Sequence, residues 1–405
     1  MKFSLPKNIG NIITVINNSG YQAHVVGGCV RDMIINKVPT DWDITTNASP
    51  QVIKSLFSKT FDTGIKHGTV TVLQDGIPVE VTTWRKETGY SDHRRPDYIC
   101  LADSLSEDLA RRDFTMNAIA YHPKEGLLDP FYGLSDITDR IIRCVGKPSE
   151  RFSEDALRML RAIRFSAQLD FDIEKITFAA INNLSEDLNH VSKERIQAEI
   201  NKIFESKTPQ KLYLIWKSGL SKVVFSGIES LPESWCITIK PFIGSAYQKV
   251  ILLSLLFYLS CKTDPISCAK DYLIVNKYDN KTQRSVTDHI KCITGIGPLT
   301  SRNIRKATFE YGTDVTLNIL KILHLIQSIN GDKSALPANI SRDIIPVIPA
   351  LSGSDLKSMG FNGREIKNML DTIRLCLYEN SDLNSIDTLI HLVKNIPDFN
   401  HSFIE

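Results

Sequence analysis

The sequence predicts an α+β protein: a small N-terminal head with a mixed sheet, followed by an elongated all-helical arm. Strand signals fall in the first part of the chain, where short β-branched runs are separated by turn residues. Beyond about residue 140 they fade, and helical spacing of apolar residues runs to the end. A length of 405 residues is enough for two to four domains with real cores. Breaks near Thr208-Pro209, Gly295–Pro298 and Asn330–Pro337 divide the arm, giving expected parts at 1–140, 141–206, 207–330 and 331–405.

In the head, Val25-Val26 reads as a strand running into the turn Gly27-Gly28. A second strand is expected to carry Asp41-Trp42-Asp43-Ile44. Thr69 to Gln74 and Ile77 to Trp84 flank Asp75-Gly76, a hairpin signal because that pair tolerates positive φ. The stretch from Lys86 to Pro96 is polar and aperiodic and is expected to be a loop. In the arm, a helix containing Asp155 presents Ala156, Leu160, Ile163 and Ala167 on one apolar face. Val250 to Cys261 is the longest apolar stretch; it is too short to span a hydrocarbon core of ~30 Å and is expected to be a buried helix, with no membrane partner.

Hydrophobic residues at 42% and charged residues at 23% exclude a disordered or membrane-embedded chain. The net charge of +2 is not the footprint of a strongly basic nucleic-acid binder. Any such surface must come from local clusters: Arg94–Arg95, Arg111–Arg112, Arg158/Arg161/Arg164 or Arg302/Arg305/Lys306. Eight scattered cysteines with no CxxC pair signal neither zinc nor a disulfide framework, and fit reduced thiols in the cytoplasm. Met1 to Pro6 lacks the apolar region of a secretory signal.

Asp41 and Asp43 are two apart, so on a strand both carboxylates face one side and reach one ion. Two carboxylates, a triphosphate and water make an oxygen shell suited to Mg²⁺. Asp-x-Asp alone is a weak signal. Upstream, Gly27-Gly28-Cys29-Val30-Arg31-Asp32 adds a glycine pair that lets backbone approach phosphate, and Arg31 as a charged donor. In the hairpin, Val79 and Val81 face one way and Glu80 the other. Glu80 is either a third carboxylate that polarises an attacking hydroxyl or a solvent-facing strand residue. Asp155, Arg158, Arg161 and Arg164 wind around the helix opposite its apolar face; composition alone favours a solvated face with intrahelical ion pairs.

These residues resemble a known family. Gly27-Gly28-x-Val30-Arg31-Asp32 followed by Asp41-x-Asp43 resembles the first motif of class II tRNA nucleotidyltransferases and bacterial poly(A) polymerases, in the polymerase β superfamily. Asp108 to Ala118, Asp129-Pro130 with Gly133, Glu154 to Phe165 and Lys193 to Glu199 resemble the next four motifs in order. In the second half only Leu351 to Gly360 and the following helix look family-like.

The resemblance implies a polymerase β-like head, then a helical neck with a nucleobase-selecting helix, a body and a tail. It implies tRNA held at its 3′ end and elbow along the arm, CTP and ATP as substrates, Mg²⁺ as cofactor and no obligate protein partner. Asp41, Asp43 and Glu80 are then the catalytic carboxylates, with the metal on Asp41 and Asp43. Gly28, Arg31, Arg112, Asp155, Arg158, Arg161 and Arg164 are the nucleotide-binding residues. Cytosine and adenine each present an amino group beside a ring-nitrogen acceptor, so Asp155 accepts and Arg158 donates, while uracil and guanine reverse that pattern. Arg112 is the candidate for the triphosphate, with Arg111 paired to Asp108 or Asp113. Arg161 serves the base pocket or the triphosphate; Arg164, half a turn away, is expected on phosphate or RNA.

The activity implied is addition of CMP and AMP to the 3′ end of tRNA. Addition of A alone and polyadenylation share the motifs. The loop Lys86 to Pro96 resembles one that CC-only enzymes lack, although His93 stands where glycine is common. Thr63 to Val70 is more similar to tRNA-processing members, and the absence of a His-Asp dipeptide argues against a metal phosphohydrolase domain. A non-catalytic RNA-binding relative would not need the intact carboxylates; a small-molecule nucleotidyltransferase would lack the long arm. Gly295-Ile296-Gly297-Pro298 before Arg302, Arg305 and Lys306 reads as a helix connection with a solvated basic face, or as a turn near phosphate.

Overall fold

A computed structural model describes residues 1–89, 98–261, 263–329 and 340–395. The chain forms two compact units, Met1–Leu231 and Pro232–Glu405.

The first unit begins with α1 (Lys7–Asn18), whose Ile9, Ile12, Ile13 and Ile16 are buried along one stripe. Then come β1 (Ala23–Val26), α2 (Gly28–Ile34), β2 (Asp43–Thr46), α3 (Pro50–Leu56), β3 (Thr60–Gly64), β4 (Thr69–Gln74), β5 (Ile77–Thr83), β6 (Arg85–Thr88), β7 (Tyr98–Leu101), α4 (Leu105–Ala110), β8 (Ala120–His122), β9 (Gly126–Leu128) and α5 (Gly133–Thr138). Seven strands make one sheet in the order β3-β4-β5-β2-β1-β8-β9. Only β2 and β5 pair in parallel, so the sheet is mixed, as expected. All four residues of β1 are buried, which suits a strand covered on both faces. Asp75 and Gly76 take φ of 52° and 79°, which closes the β4–β5 hairpin.

Two local expectations change. Arg85 to Thr88 pair with Tyr98 to Leu101 as a ribbon, so the expected loop begins later than Lys86. Its centre, including His93, Arg94 and Arg95, lies outside the described residues. β2 starts at Asp43, leaving Asp41 in the bend before it.

The unit continues with β10 (Ile141–Ile142), α6 (Pro148–Glu154), α7 (Leu157–Leu169), β11 (Asp172–Ile173), α8 (Lys175–Asn183), α9 (Lys193–Phe204), α10 (Tyr213–Lys217) and α11 (Ser221–Val224). Helices dominate here; β10 and β11 form only a two-residue parallel ladder. Ala156, Leu160, Ile163 and Ala167 are all buried, as the apolar spacing predicts. Asp155 is not inside that helix. It is the extended residue (φ −142°, ψ 101°) that ends α6, and α7 begins two residues later.

The second unit is helical throughout its described residues: α12 (Trp235–Ile239), α13 (Gln248–Ser260), α14 (Pro265–Val275), α15 (Asn280–Gly295), α16 (Ser301–Tyr311), α17 (Thr313–Ile329), α18 (Ile340–Asp343), α19 (Gly353–Ser358), α20 (Arg364–Glu379) and α21 (Ile386–Asn395). Helix α13 is buried from Ile251 through Phe257, packs on α14 and α15, and matches the expected apolar stretch. No described helix is long and apolar enough to cross a membrane. Arg305 is buried, bonding Asp343 at 2.9 Å and the Leu377 carbonyl at 3.2 Å. Arg302 pairs with Glu379 and Lys306 with Glu310 at 3.9 Å, so all three basic residues in this cluster have internal partners. Cys261 and Cys268 are brought together with Cα atoms 6.8 Å apart, a disulfide-range juxtaposition that the sequence did not signal.

Candidate active site

The parallel pairing of β2 and β5 sets Asp43 directly opposite Glu80. Neighbours in register share a face, so both carboxylates project from the same side of the sheet. Val79 and Val81 are buried on the other side and Glu80 is exposed, as the alternation predicts. Asp41 sits two residues before Asp43 in the entering bend. Burial raises the Asp43 pKa; Arg112 opposes that, while Glu80 and Asp41 add to it. Among the described residues no donor bonds the Asp43 carboxylate. Crowded carboxylate oxygens, with Asp43 lacking a donor of its own and Asp41 accepting, among the described residues, only from Thr40 at 3.4 Å, fit a hard divalent cation. Among the described residues no three acidic, His or Cys side chains are grouped to enclose an ion by themselves. Such a cation therefore needs further oxygens from substrate or water.

Gly27 holds φ at +83° where β1 turns into α2. A Cβ there would lie 3.1 Å from Arg112 Nη1 and 4.0 Å from Asp43 Oδ2. The glycine thus leaves room for both the guanidinium and the carboxylate beside the turn. Arg112 is aimed by Asp108, a fully buried carboxylate at the end of α4. Asp108 accepts from Thr45 Oγ1 at 3.0 Å on β2 and from Arg111 Nη2 at 2.8 Å. Burial alone would raise its pKa, but Arg111 and Arg112 bring it below the usual value. Of the two partners expected for Arg111, the structure selects Asp108.

Arg31 does not point into open space. It is buried, donating to Asn117 Oδ1 at 2.7 Å and to Asp32 Oδ1, with its guanidinium 5.2 Å from the Phe165 ring centre. A Cβ at Gly28 would lie 3.6 Å from Arg31 Nη2. Arg161 pairs with Asp113, and Arg164 with Glu199 while lying 3.7 Å from the Phe165 centroid. Arg164 is buried, and burial pushes its pKa down to about 10 against the pull of Glu199. Three guanidinium groups thus bracket one ring, tying α2 to α7.

Asp155 and Arg158 are each held by other partners. Arg195 grips Asp155 with two bonds, Nη1 to Oδ1 at 3.2 Å and Nη2 to Oδ2 at 2.7 Å. Arg158 pairs with Glu154 and donates to the Arg151 and Arg111 carbonyls at 3.0 and 3.2 Å. That last bond connects α7 to the segment carrying Arg112. The expectation of Asp155 as a helical i, i+3 neighbour of Arg158 fails because the helix breaks at Asp155.

Sequence reasoning singled out the carboxylates and Arg112 but gave no role to Asn117, which joins Arg31 to Asp113, or to Arg195. Both lie inside quoted motifs, and the motif was the only available signal. Another motif is structural. Asp129 accepts from the Gly133 and Leu134 amides, each at 2.8 Å, and a Cβ at Gly133 would lie 2.2 Å from the Thr115 carbonyl oxygen.

Residues 23–143 match the family model described as the poly A polymerase head domain. Residues 170–231 match one described as a probable RNA and SrmB-binding site of polymerase A. The CCA-adding enzyme of Lactobacillus johnsonii is 37% identical over 341 residues, covering 82% of this chain and 84% of that protein. The solved CCA-adding enzyme of Bacillus stearothermophilus in complex with CTP is 28% identical, with a TM-score of 0.76 over 96% of both chains. The Thermotoga maritima CCA-adding enzyme complexed with tRNA shares the fold at 18% identity, with a TM-score of 0.72 over 96% of both chains.

Proposed function

Because the chain belongs to the family of CCA-adding enzymes, we propose that it extends the 3′ end of tRNA with CMP and AMP, taken from CTP and ATP without a nucleic-acid template. The tRNA 3′-oxygen attacks the α-phosphorus in line, the bond to the bridging oxygen breaks, and pyrophosphate leaves. The family depends on a divalent cation; Mg²⁺ is the proposed ion, with Asp41 and Asp43 as its ligands. When bound, the cation lowers the pKa of the attacking hydroxyl and neutralises charge on the leaving group. Glu80 orients that hydroxyl from the neighbouring strand. Arg112 holds the triphosphate beside the Gly27-Gly28 turn. Asp155 and Arg158 read the base by accepting from its amine and donating to its ring nitrogen. Arg31, Arg161 and Arg164 support the nucleotide indirectly, by fixing α7 against the head around Phe165.

The observation that carries this reading is Asp43 in register with Glu80, with Asp41 at the strand entry and Arg112 electrostatically coupled to Asp43. Cytoplasmic action and tRNA contacts along 331–405 belong to the same proposal.

The test is incubation with tRNA lacking CCA, and with tRNA ending in CC, using labelled CTP and ATP. Incorporation of both nucleotides with arrest after CCA supports the reading. ATP-only labelling of the CC end would replace it with A-addition. Long A tails would indicate a poly(A) polymerase, and no labelling a non-catalytic RNA binder.

A further inference from the structure

We propose that Arg195 is the positioning residue that sets nucleotide choice, by fixing the direction in which Asp155 accepts a hydrogen bond. This rests on the reading of Asp155 as the carboxylate that meets the base.

Asp155 lies in the break between α6 and α7, with extended backbone, so no helix constrains its side chain. Its orientation comes from two partners. The Leu157 amide donates to Oδ1 at 3.1 Å, and Arg195 spans both oxygens. An ionised carboxylate offers about four acceptor positions. Two bonds occupy Oδ1 and one occupies Oδ2, leaving a single acceptor position on Oδ2. That remaining position is directional. An amino group on cytosine or adenine satisfies it, whereas the carbonyl of uracil or guanine sets oxygen against oxygen.

Arg195 is poorly placed to serve its own helix. It is the third residue of α9, after the N-cap Ser192, and a cation in the first turn opposes the helix dipole. Asp155 offsets that charge. The two side chains remain 25% and 18% exposed, open enough for a base to reach them. Packing of α7 on α9 keeps the pair in reach.

The test measures kcat/KM for CTP, ATP and UTP on a tRNA acceptor with Arg195→Lys and Arg195→Met, beside Asp155→Ala. Lysine keeps the charge but cannot span both oxygens. Misplacing an aligned group by about 1 Å can cost about 100-fold, so both Arg195 variants are expected to lose about 100-fold of CTP-over-UTP preference. A purely structural Arg195 would lower CTP and UTP use alike and leave the ratio intact, which overturns the proposal. Should the methionine variant fail to fold, the lysine variant decides alone. If Asp155→Ala loses the preference while the Arg195 variants keep it, only the role of Arg195 falls. If Asp155→Ala itself keeps the preference, the base-reading role falls and Arg195's with it.

Discussion

Asp43 and Glu80 stand opposite each other on the one parallel strand pair in the seven-stranded sheet. Burial raises the Asp43 pKa, and the Glu80 carboxylate beside it adds to the rise. A folded pKa above the unfolded one means that ionising Asp43 weakens the fold. The penalty is absent below the unfolded pKa and complete above the folded one. Asp43→Asn should therefore raise Tm at pH 7, with the gain closing as pH falls below the usual aspartate range. The same variant should lose nucleotide incorporation by about 1,000-fold or more, equivalent to about 4 kcal/mol of transition-state stabilisation. Parallel thermal melts and incorporation assays check both halves; near-normal incorporation would remove Asp43 from the catalytic set.

Arg112 has one nitrogen, Nε, buried without a hydrogen-bond partner among the described residues, while Nη2 leans 3.5 Å from Asp108. A guanidinium aimed by a buried acid and only loosely bonded suits two-point binding of phosphate. Arg112→Lys should raise KM for CTP and ATP by a similar factor, about 10-fold for the loss of about 1.4 kcal/mol. Preference for CTP over UTP should not move. Steady-state kinetics with the three nucleotides distinguish this from a role at the base, which would shift one nucleotide more than another.

The parts of this molecule that depend on local pattern were legible in the sequence. Alternation around Glu80 gave its face, Asp75-Gly76 gave the hairpin, and the spacing of Ala156, Leu160, Ile163 and Ala167 gave the buried side of α7. Illegible features needed tertiary contacts. Nothing local says that β2 pairs in parallel with β5, or that Arg195 reaches Asp155 from 40 residues away. The helix break at Asp155 carries no glycine or proline to announce it. Arg305 looked like a solvated cation beside Arg302, and became a buried one because α18 brings Asp343 against it. Arg31 reads as a phosphate donor from its charge beside the glycine turn, and Arg164 as a phosphate or RNA ligand from its place around the helix; their burial around Phe165 appears only once α2 and α7 meet.

Gly133 offers a test of the structural motif. A methyl group there would collide with the Thr115 carbonyl, which is backbone and cannot swing aside. The turn at Thr115–Asn117 carries Asn117, the hinge between Arg31 and Asp113. Gly133→Ala should destabilise the protein by about 1–3 kcal/mol, the usual cost of overpacking. Urea unfolding measures this directly. Incorporation by the variant should fall steeply on warming, as the folded fraction falls; unchanged stability would show that the segment relaxes freely.

Asp113 gives the opposite pH sign to Asp43. Burial alone would raise its pKa, but Arg161 and Asn117 override burial and hold the carboxyl far below its usual range. A depressed folded pKa means stability that is present above the unfolded value and lost as pH falls through the folded one. Asp113→Asn breaks a pair whose carboxylate is buried but whose guanidinium is about a third exposed, and leaves Arg161 without its carboxylate, at a cost of about 1.5–3 kcal/mol at pH 7. Below about pH 4 the unfolded chain takes up the proton, so the wild-type advantage should narrow steadily. Urea midpoints for both proteins at pH 7 and at lower pH test the sign: a gap that stays constant with pH would mean that the Asp113–Arg161 ion pair is not what stabilises the junction between the head and α7.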